Sequence, residues 1–274
     1  PALSLPSGPL AGSRGEDYPR VRTINRPPMR IGILKCGQSP ESLRGELGDY
    51  DTLFERLLAG RGFDLQSWHV ENMQFPDSVH DADGWLLTGS RHGVYEDHPF
   101  IPRLEAFVRE AYEAGVPLVG ICFGHQLIAR ALGGRVEKYP GGWAVGPTEY
   151  DFDGQRVTLN AWHQDQVIEP PPGARVIGSN DFCRNAALVY GDRALTVQAH
   201  PEFDDRFIRG LIETRARGRV PDPLLDAAEA RMGGARDSAL IADRIEAFFK
   251  ALRGADAGTA MTDSARADSR AGAA

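Results

Sequence analysis

Apolar residues recur along the first half of the chain with two alternating spacings. Short apolar or alternating runs are typical of strands, and longer segments with apolar residues three and four positions apart are typical of helices. The predicted strands are Arg30–Lys35, Phe63–Trp68, Trp85–Thr88 and Leu118–Ile121. The predicted helices are Asp51–Ala59, Ile101–Ala114 and Gln126–Leu132, the last ended by Gly133 and Gly134. This alternation predicts an α/β fold, a doubly wound, flavodoxin-like and mostly parallel sheet with helices on both faces.

The pattern changes after Gly134. Short strands separated by turn residues such as Asp153 and Gly154 predict a small antiparallel section. Its strands are Val136–Lys138, Thr148–Phe152, Arg156–Leu159 and Arg175–Gly178. A last buried strand, Ala194–His200, follows the antiparallel section. Helices are predicted over Asp204–Arg215 and Asp237–Leu252. In the first half of the chain, Cys36–Gly48 is predicted to be a loop.

The two ends of the chain differ in composition from its middle. Residues 1–28 are rich in Pro, Gly, Ser and Arg without periodicity, and residues 253–274 are rich in Ala, Gly, Asp and Arg. We therefore expect a flexible N-terminal arm over 1–28, one domain over 29–252 and a flexible C-terminal tail over 253–274.

Charge and hydropathy exclude several classes of partner. The formal net charge is -7 and no Lys/Arg-rich run occurs, which argues against a nucleic-acid partner. No apolar stretch approaches the roughly 20 residues of a membrane span, and the N-terminus lacks the pattern of a signal peptide. Three cysteines exclude a full disulfide framework, so we expect a reducing, cytoplasmic location.

The segment Gly120–Gln126, Gly-Ile-Cys-Phe-Gly-His-Gln, joins the fourth strand to its helix. Gly-x-Cys-x-Gly at a strand-to-helix turn is the thiol form of a nucleophile elbow. Small neighbours allow a sharp turn that strains the backbone of Cys122, and the helix N-terminus favours a thiolate. Cys122 is therefore the candidate nucleophile.

The last predicted strand ends in His-Pro-Glu-Phe, residues His200–Phe203. Residues two apart in an extended chain point the same way, so the carboxylate of Glu202 can orient the imidazole of His200. Cys, His and Glu then supply nucleophile, base and orienter. Either motif alone is more often structural, since a free cysteine after a strand usually behaves as a small buried hydrophobe. Their joint occurrence at strand ends favours one site.

With these motifs the chain resembles the class I, or triad, glutamine amidotransferases over roughly Met29–Ala251. In that family the cysteine attacks the side-chain amide of glutamine and forms a γ-glutamyl thioester. The resemblance implies a catalytic triad of Cys122, His200 and Glu202, and it places Gln126 in the glutamine pocket.

Two further segments resemble the family. Trp85–Ser90 matches its oxyanion strand, which implies that the backbone amides of Ser90 and Phe123 stabilise the oxyanion and that Gly89 allows close approach. Arg91 stands where the family usually has proline. Trp162–Val167 resembles the His-x-Asp-x-Val loop, which implies that Trp162, His163, Gln164 and Asp165 hold the amino-acid end of the substrate.

The resemblance leaves two functions open. One is a stand-alone hydrolase of γ-glutamyl amines or peptides, and the other is a glutaminase subunit that delivers ammonia to a separate synthetase. The loop Arg91–Phe100 looks like the stand-alone γ-glutamyl peptidases and amine hydrolases. On this hypothesis Tyr95, His98 and Phe100 shape the leaving-group side of the pocket.

Other classes remain as alternatives. A family of peptidases, chaperones and deglycases also carries a cysteine elbow, but its nucleophile is followed by His, where this chain has Phe123. An amidotransferase-like module without catalysis is the third alternative. We expect no cofactor and no metal, because Cys36 and Cys183 lack partners at metal-ligand spacing and no Cys-x-x-Cys or His-x-x-x-His occurs. Homo-oligomerisation stays open.

Overall fold

The computed structural model describes residues 27–251, so most of the predicted arm and the whole predicted tail lie outside it. The strands are β1 (Met29–Leu34), β2 (Phe63–Trp68), β3 (Gly84–Leu87), β4 (Leu118–Ile121), β5 (Arg135–Lys138), β6 (Ala144–Phe152), β7 (Gln155–His163), β8 (Asp165–Glu169), β9 (Arg175–Ser179), β10 (Ala187–Tyr190) and β11 (Ala194–Val197). The helices are α1 (Glu41–Leu47), α2 (Tyr50–Leu57), α3 (Phe100–Ala114), α4 (Phe123–Ala131), α5 (Asp205–Leu211), α6 (Asp222–Ala230) and α7 (238–251). A 3₁₀ turn covers Val70–Asn72, and a π-helical segment over Ile212–Ala216 continues α5.

The parallel half of the central sheet has the strand order β2-β1-β3-β4-β11. This is the 2-1-3-4-5 order of flavodoxin-like folds, so the predicted fold class is confirmed. Ile121 pairs with Val197, and Leu87 pairs with Gly120. Because parallel strands end at the same edge, the residues that follow β3, β4 and β11 meet there.

The antiparallel strands continue the same sheet instead of forming a separate insertion. The order runs on from β11 through β10, β9, β6 and β7, while β5 and β8 form a two-stranded ribbon. Asp153 and Gly154 join β6 to β7 with φ angles of 52° and 85°, as a type I′ hairpin turn requires. A bridge between Asn160 and His200 ties this hairpin to the edge where β11 ends.

Apolar side chains alternate between the two faces of the sheet and build a core on each. Leu87 and Leu118 face a layer that includes α3 and α4, and Leu86 and Val119 face a layer that includes α2 and α7. The prediction of helices on both faces is therefore confirmed.

The pattern of apolar residues did not predict several short helices and strands. Helix α1 lies inside the segment Cys36–Gly48 that was predicted to be a loop, and α6, β8 and β10 were not predicted. These elements are short, and α1 starts without a side-chain cap, so local pattern carries little signal for it. No helix within residues 27–251 is both long and apolar enough to cross a bilayer.

Candidate active site

Cys122 sits at the turn between β4 and α4 with a strained backbone. Its φ of 53° and ψ of −101° lie in a region that non-glycine residues rarely adopt. A β-carbon at position 120 would lie 2.6 Å from the backbone of Gly124, and one at 124 would lie 2.5 Å from the carbonyl oxygen of Leu87. Both glycines of the predicted elbow are thus required by close backbone approach.

His200 and Glu202 form a buried pair beyond the end of β11. The Nδ1 atom of His200 lies 2.7 Å from Oε1 of Glu202, and the backbone N–H of His200 donates to the carbonyl of Asn160 at 2.8 Å. The imidazole stacks on the ring of Phe203, with centroids 4.0 Å apart and an interplanar angle of 3°. Glu202 thus holds the imidazole at Nδ1, and Phe203 holds one face of the ring. Nε2 is the ring nitrogen that stays available for proton transfer.

Gly89 marks the point where the three strand ends converge. A β-carbon at this position would lie 2.9 Å from Cε1 of His200 and 3.8 Å from Cβ of Cys122. Burial opposes protonation of His200, but the negative charges of Glu202 and of a Cys122 thiolate outweigh it and raise the pKa of His200 to about 10. The arrangement therefore favours the protonated, imidazolium form of His200. The structure brings together the three residues predicted to form a triad.

The residues predicted to form an oxyanion hole flank Cys122. Ser90 and Phe123 line the same pocket as the cysteine. The Phe123 amide is the first of α4, and the first amides of a helix have no partner within it. The Ser90 hydroxyl accepts from the backbone N–H of His92 at 3.2 Å. The oxyanion assignment stays a prediction.

A cavity of about 240 Å³ opens over Cys122. Aromatic and apolar side chains form part of its wall: Tyr50, Trp143, Trp162, Leu211 and Val220. Polar and charged side chains form the rest: Ser90, Arg91, His92, Tyr95, Glu96, Gln126, Lys138, His163, Gln164, Asp165, Arg215 and Arg219. Such a site suits a small molecule with several polar groups.

Residues 49–207 match the family model of the class I glutamine amidotransferases. The chain belongs to this family. The resemblance inferred from sequence is therefore confirmed, as is the expected class of enzyme, one that hydrolyses an amide bond.

Relatives of two kinds are similar to this amidotransferase. Gamma-glutamyl peptidase 2 of Arabidopsis thaliana is 26% identical over 198 residues, which cover 67% of this chain and 80% of the relative. A GMP synthase (glutamine-hydrolysing) of Clostridium novyi is 38% identical over 171 residues, which cover 57% of this chain and 32% of the synthase. The crystal structure of a glutamine amido transferase from Methylobacillus flagellatus superposes with a TM-score of 0.63 at 22% identity, covering 82% of this chain and 93% of that one, which supports the fold.

The predicted substrate loop of this amidotransferase is in fact the junction of two strands. Trp162 and His163 end β7, Gln164 is a one-residue connection and Asp165 begins β8. The side-chain amide of Gln126 donates to the Asp165 carbonyl at 2.9 Å and to Oε1 of Gln198 at 3.0 Å. Gln126 therefore lines the pocket, as the resemblance implies, and its amide also fixes the strand junction at Asp165.

His163 is a neutral side chain beside the triad. Burial and the charge on His200 lower the pKa of His163 to about 3. Its Nδ1 lies 3.2 Å from the Asp165 carbonyl, and its Nε2 is buried with no hydrogen-bond partner among residues 27–251. Since a neutral imidazole donates through Nδ1 here, Nε2 is a buried acceptor.

The three residues predicted for the leaving-group side separate in the structure. Tyr95 lies on the pocket wall, and its hydroxyl is 3.1 Å from both carboxylate oxygens of Asp165. Burial and the Asp165 charge raise the pKa of Tyr95 to about 12. His98 and Phe100 do not line this cavity, and Phe100 is 2% exposed and packs against Phe123. Phe100 begins α3, and its helical position turns it into the core.

Several residues that line the pocket are not among the predicted site residues: Tyr50, Trp143, Lys138, Arg215 and Arg219. Arg215 and Arg219 come from the π-helical segment and the turn after it. The alternation of arginines at 215, 217 and 219 was an available signal. Nothing in the sequence near Tyr50 or Trp143 indicates a pocket, because only tertiary packing brings them to Cys122.

Cys36 and Cys183 are buried and form no disulfide bond. All three cysteines of the chain lie among the residues that the structure describes. Burial raises the pKa of Cys36 strongly and that of Cys183 to about 12. Both thiols are therefore protonated at neutral pH, the form of a cysteine that is a poor nucleophile.

Proposed function

We propose that this amidotransferase is a stand-alone hydrolase of γ-glutamyl amide bonds, with Cys122 as nucleophile and with glutamate and an amine as products. The observation that carries the proposal is the convergence of a strained Cys122, the Gly89 backbone and the buried His200–Glu202 pair, with Cys122 lining a pocket. The gamma-glutamyl peptidase relatives support it, because this chain covers about four fifths of their length.

In the first step the Cys122 thiolate attacks the γ-carbonyl carbon. A C–S bond forms and the carbonyl π electrons move to oxygen, where the amides of Ser90 and Phe123 donate hydrogen bonds. As the carbonyl re-forms, the C–N bond breaks and Nε2–H of His200 gives its proton to the departing amine. The enzyme is left as a γ-glutamyl thioester with a neutral His200.

In the second step water replaces the amine. Nε2 of His200 takes a proton from water while the water oxygen attacks the thioester carbonyl. The C–S bond then breaks, which releases glutamate and returns the thiolate beside an imidazolium. Glu202 keeps the ring oriented and stabilises its positive charge throughout.

The strand junction at residues 162–165 is proposed to hold the amino-acid end of the glutamyl group. The unpartnered Nε2 of His163 can accept from the α-ammonium, and the cationic Arg215, which lines the same pocket, suits the α-carboxylate. The need for a free thiolate fits a reducing, cytoplasmic location.

A glutaminase subunit is the second candidate. The GMP synthase relatives favour it, because this chain matches about a third of their length, which corresponds to one part of a larger enzyme. Turnover by the purified protein alone, measured on glutamine and on a panel of γ-glutamyl amines and peptides, separates the two candidates. Preference for a γ-glutamyl amide supports the hydrolase, and weak glutamine hydrolysis alone supports the subunit.

A further inference from the structure

Three potential metal ligands meet on the loop between β3 and α3. One ligand atom from each of His92, Glu96 and His98 lies within 4.8 Å of the other two. Oε2 of Glu96 is 3.3 Å from Nδ1 of His92 and 2.9 Å from Nε2 of His98. Neighbouring ligands of a tetrahedral zinc ion are about 3.3 Å apart when the metal–ligand bonds are about 2.0–2.1 Å long. The cluster therefore needs only small side-chain movements to enclose an ion.

Two of the three ligands, His92 and Glu96, are oriented by a further hydrogen bond. Nε2 of His92 lies 3.0 Å from Oε1 of Glu71, which leaves Nδ1 directed at the cluster. The backbone N–H of Gly93 donates to Oε1 of Glu96 at 3.0 Å. A carboxylate on the far nitrogen of a histidine is the usual outer partner of a metal ligand. The second oxygen of Glu71 is buried without a partner among the described residues.

The rings of the cluster are held by packing. His92 and His98 lie with ring centroids 4.0 Å apart, and both contact Phe100, at 5.9 Å and 6.0 Å. Phe100 is itself buried in the core. Two of the ligands are thus restricted before an ion arrives, which lowers the entropy lost on binding.

Charge and ligand type favour zinc. Glu71 and Glu96 supply two negative charges. The Arg91 guanidinium lies 3.3 Å from Glu71, and Arg215 and Arg219 line a pocket together with His92. Two imidazoles with one carboxylate suit zinc better than magnesium or calcium, which prefer oxygen ligands throughout. His98 is 36% exposed, so an ion can enter from solvent.

We propose that His92, Glu96 and His98 bind one Zn²⁺ ion, that Glu71 positions His92, and that a fourth coordination position stays open to water or to a ligand atom. His92 and Glu96 also line the cavity over Cys122, and the His92 amide holds the Ser90 hydroxyl. The ion would therefore fix the loop beside the proposed oxyanion hole. The spacing His-x-x-x-Glu-x-His falls outside the two-histidine and two-cysteine patterns on which the expectation of no metal rested.

The test uses the full chain without a histidine tag, in a Cys122→Ala background that removes the accessible thiol. Isothermal titration with Zn²⁺, with Co²⁺ absorption as the report of inner-sphere ligands, should give one site per chain. His98→Ala and the near-isosteric Glu96→Gln should each weaken binding at least tenfold, and Glu71→Gln about 10–100-fold as an outer partner. His80→Ala, an exposed histidine outside the cluster, is the matched control and should bind unchanged.

Circular dichroism of each metal-free variant checks that its fold is intact. The proposal is overturned if the Cys122→Ala protein shows no saturable Zn²⁺ binding. It is also overturned if Glu96→Gln and His98→Ala bind as tightly as the His80→Ala control. Neither result depends on hydrolase activity.

Discussion

Gly89 leaves no room for a side chain between its backbone and the His200 ring: a β-carbon at position 89 would lie 2.9 Å from Cε1 of the imidazole. The end of β3 therefore limits how far the His200 ring can extend towards Cys122. Glu202 and Phe203 hold the same ring from its other sides. The position of the proposed base is thus set jointly by β3, by the chain after β11 and by the hairpin residue Asn160.

Gly89→Ala should impair catalysis more than folding. The added methyl group displaces the imidazole, and a misplacement of about 1 Å can cost about 100-fold in rate, so we expect kcat/KM to fall at least tenfold. Overpacking should cost about 1–3 kcal/mol of unfolding free energy. Steady-state kinetics and urea denaturation measure the two effects.

Gly45→Ala is the control, because a β-carbon there meets no described atom within 4 Å. It should leave kcat/KM at the wild-type value and should raise the unfolding free energy by about 0.4–1 kcal/mol, because Gly45 lies in α1 and alanine is favoured over glycine in a helix. Equal kcat/KM for Gly89→Ala and wild type would show that the contact does not position the base.

Alkylation should distinguish the three cysteines. Cys122 is paired with an imidazolium at a helix N-terminus, whereas burial keeps Cys36 and Cys183 protonated. Iodoacetamide at neutral pH should therefore modify Cys122 alone, as read by peptide mass spectrometry. Modification of Cys183 at a comparable rate would contradict this account of the thiols.

Glu202→Gln should change the pH dependence of the reaction. The Glu202 charge helps raise the pKa of His200 to about 10, so removing it lowers that pKa. The imidazolium needed to protonate the amine is then lost at a lower pH, and the alkaline limb of kcat/KM should move to lower pH. The rate at neutral pH should fall less than in Cys122→Ala.

Glu213→Gln, an exposed carboxylate outside the His200 contact, serves as the control for loss of one negative charge. If the alkaline limb moves equally in both variants, overall charge and not the His200–Glu202 pair governs the profile.

Tyr95 should influence the choice of amine. Its ring lies on the pocket wall and its hydroxyl contacts Asp165, so the two parts of the side chain can be tested separately. Tyr95→Ala should change the ratio of kcat/KM between aromatic and aliphatic γ-glutamyl amines, while Tyr95→Phe should preserve it. An unchanged ratio in Tyr95→Ala would remove this residue from the leaving-group side.

The sequence predicted what is encoded locally. The elbow around Cys122 and the pair His200–Glu202 each lie within a few residues, and parallel strands with a common edge bring them together. The wall contributed by Tyr50 and Trp143 could not be predicted, because only tertiary packing brings these two residues to the pocket. The burial of Phe100 could not be predicted either, because the sequence pattern did not show that α3 begins at this residue and directs its side chain into the core.

The central claim is that Cys122 carries the γ-glutamyl group during hydrolysis. The most direct measurement is intact-protein and peptide mass spectrometry after acid quenching, on wild type and Cys122→Ala incubated with a γ-glutamyl amide that the wild type turns over. The account predicts one γ-glutamyl group on Cys122 in the wild type, with no adduct and no turnover in the variant. Turnover by Cys122→Ala at the wild-type rate would contradict it.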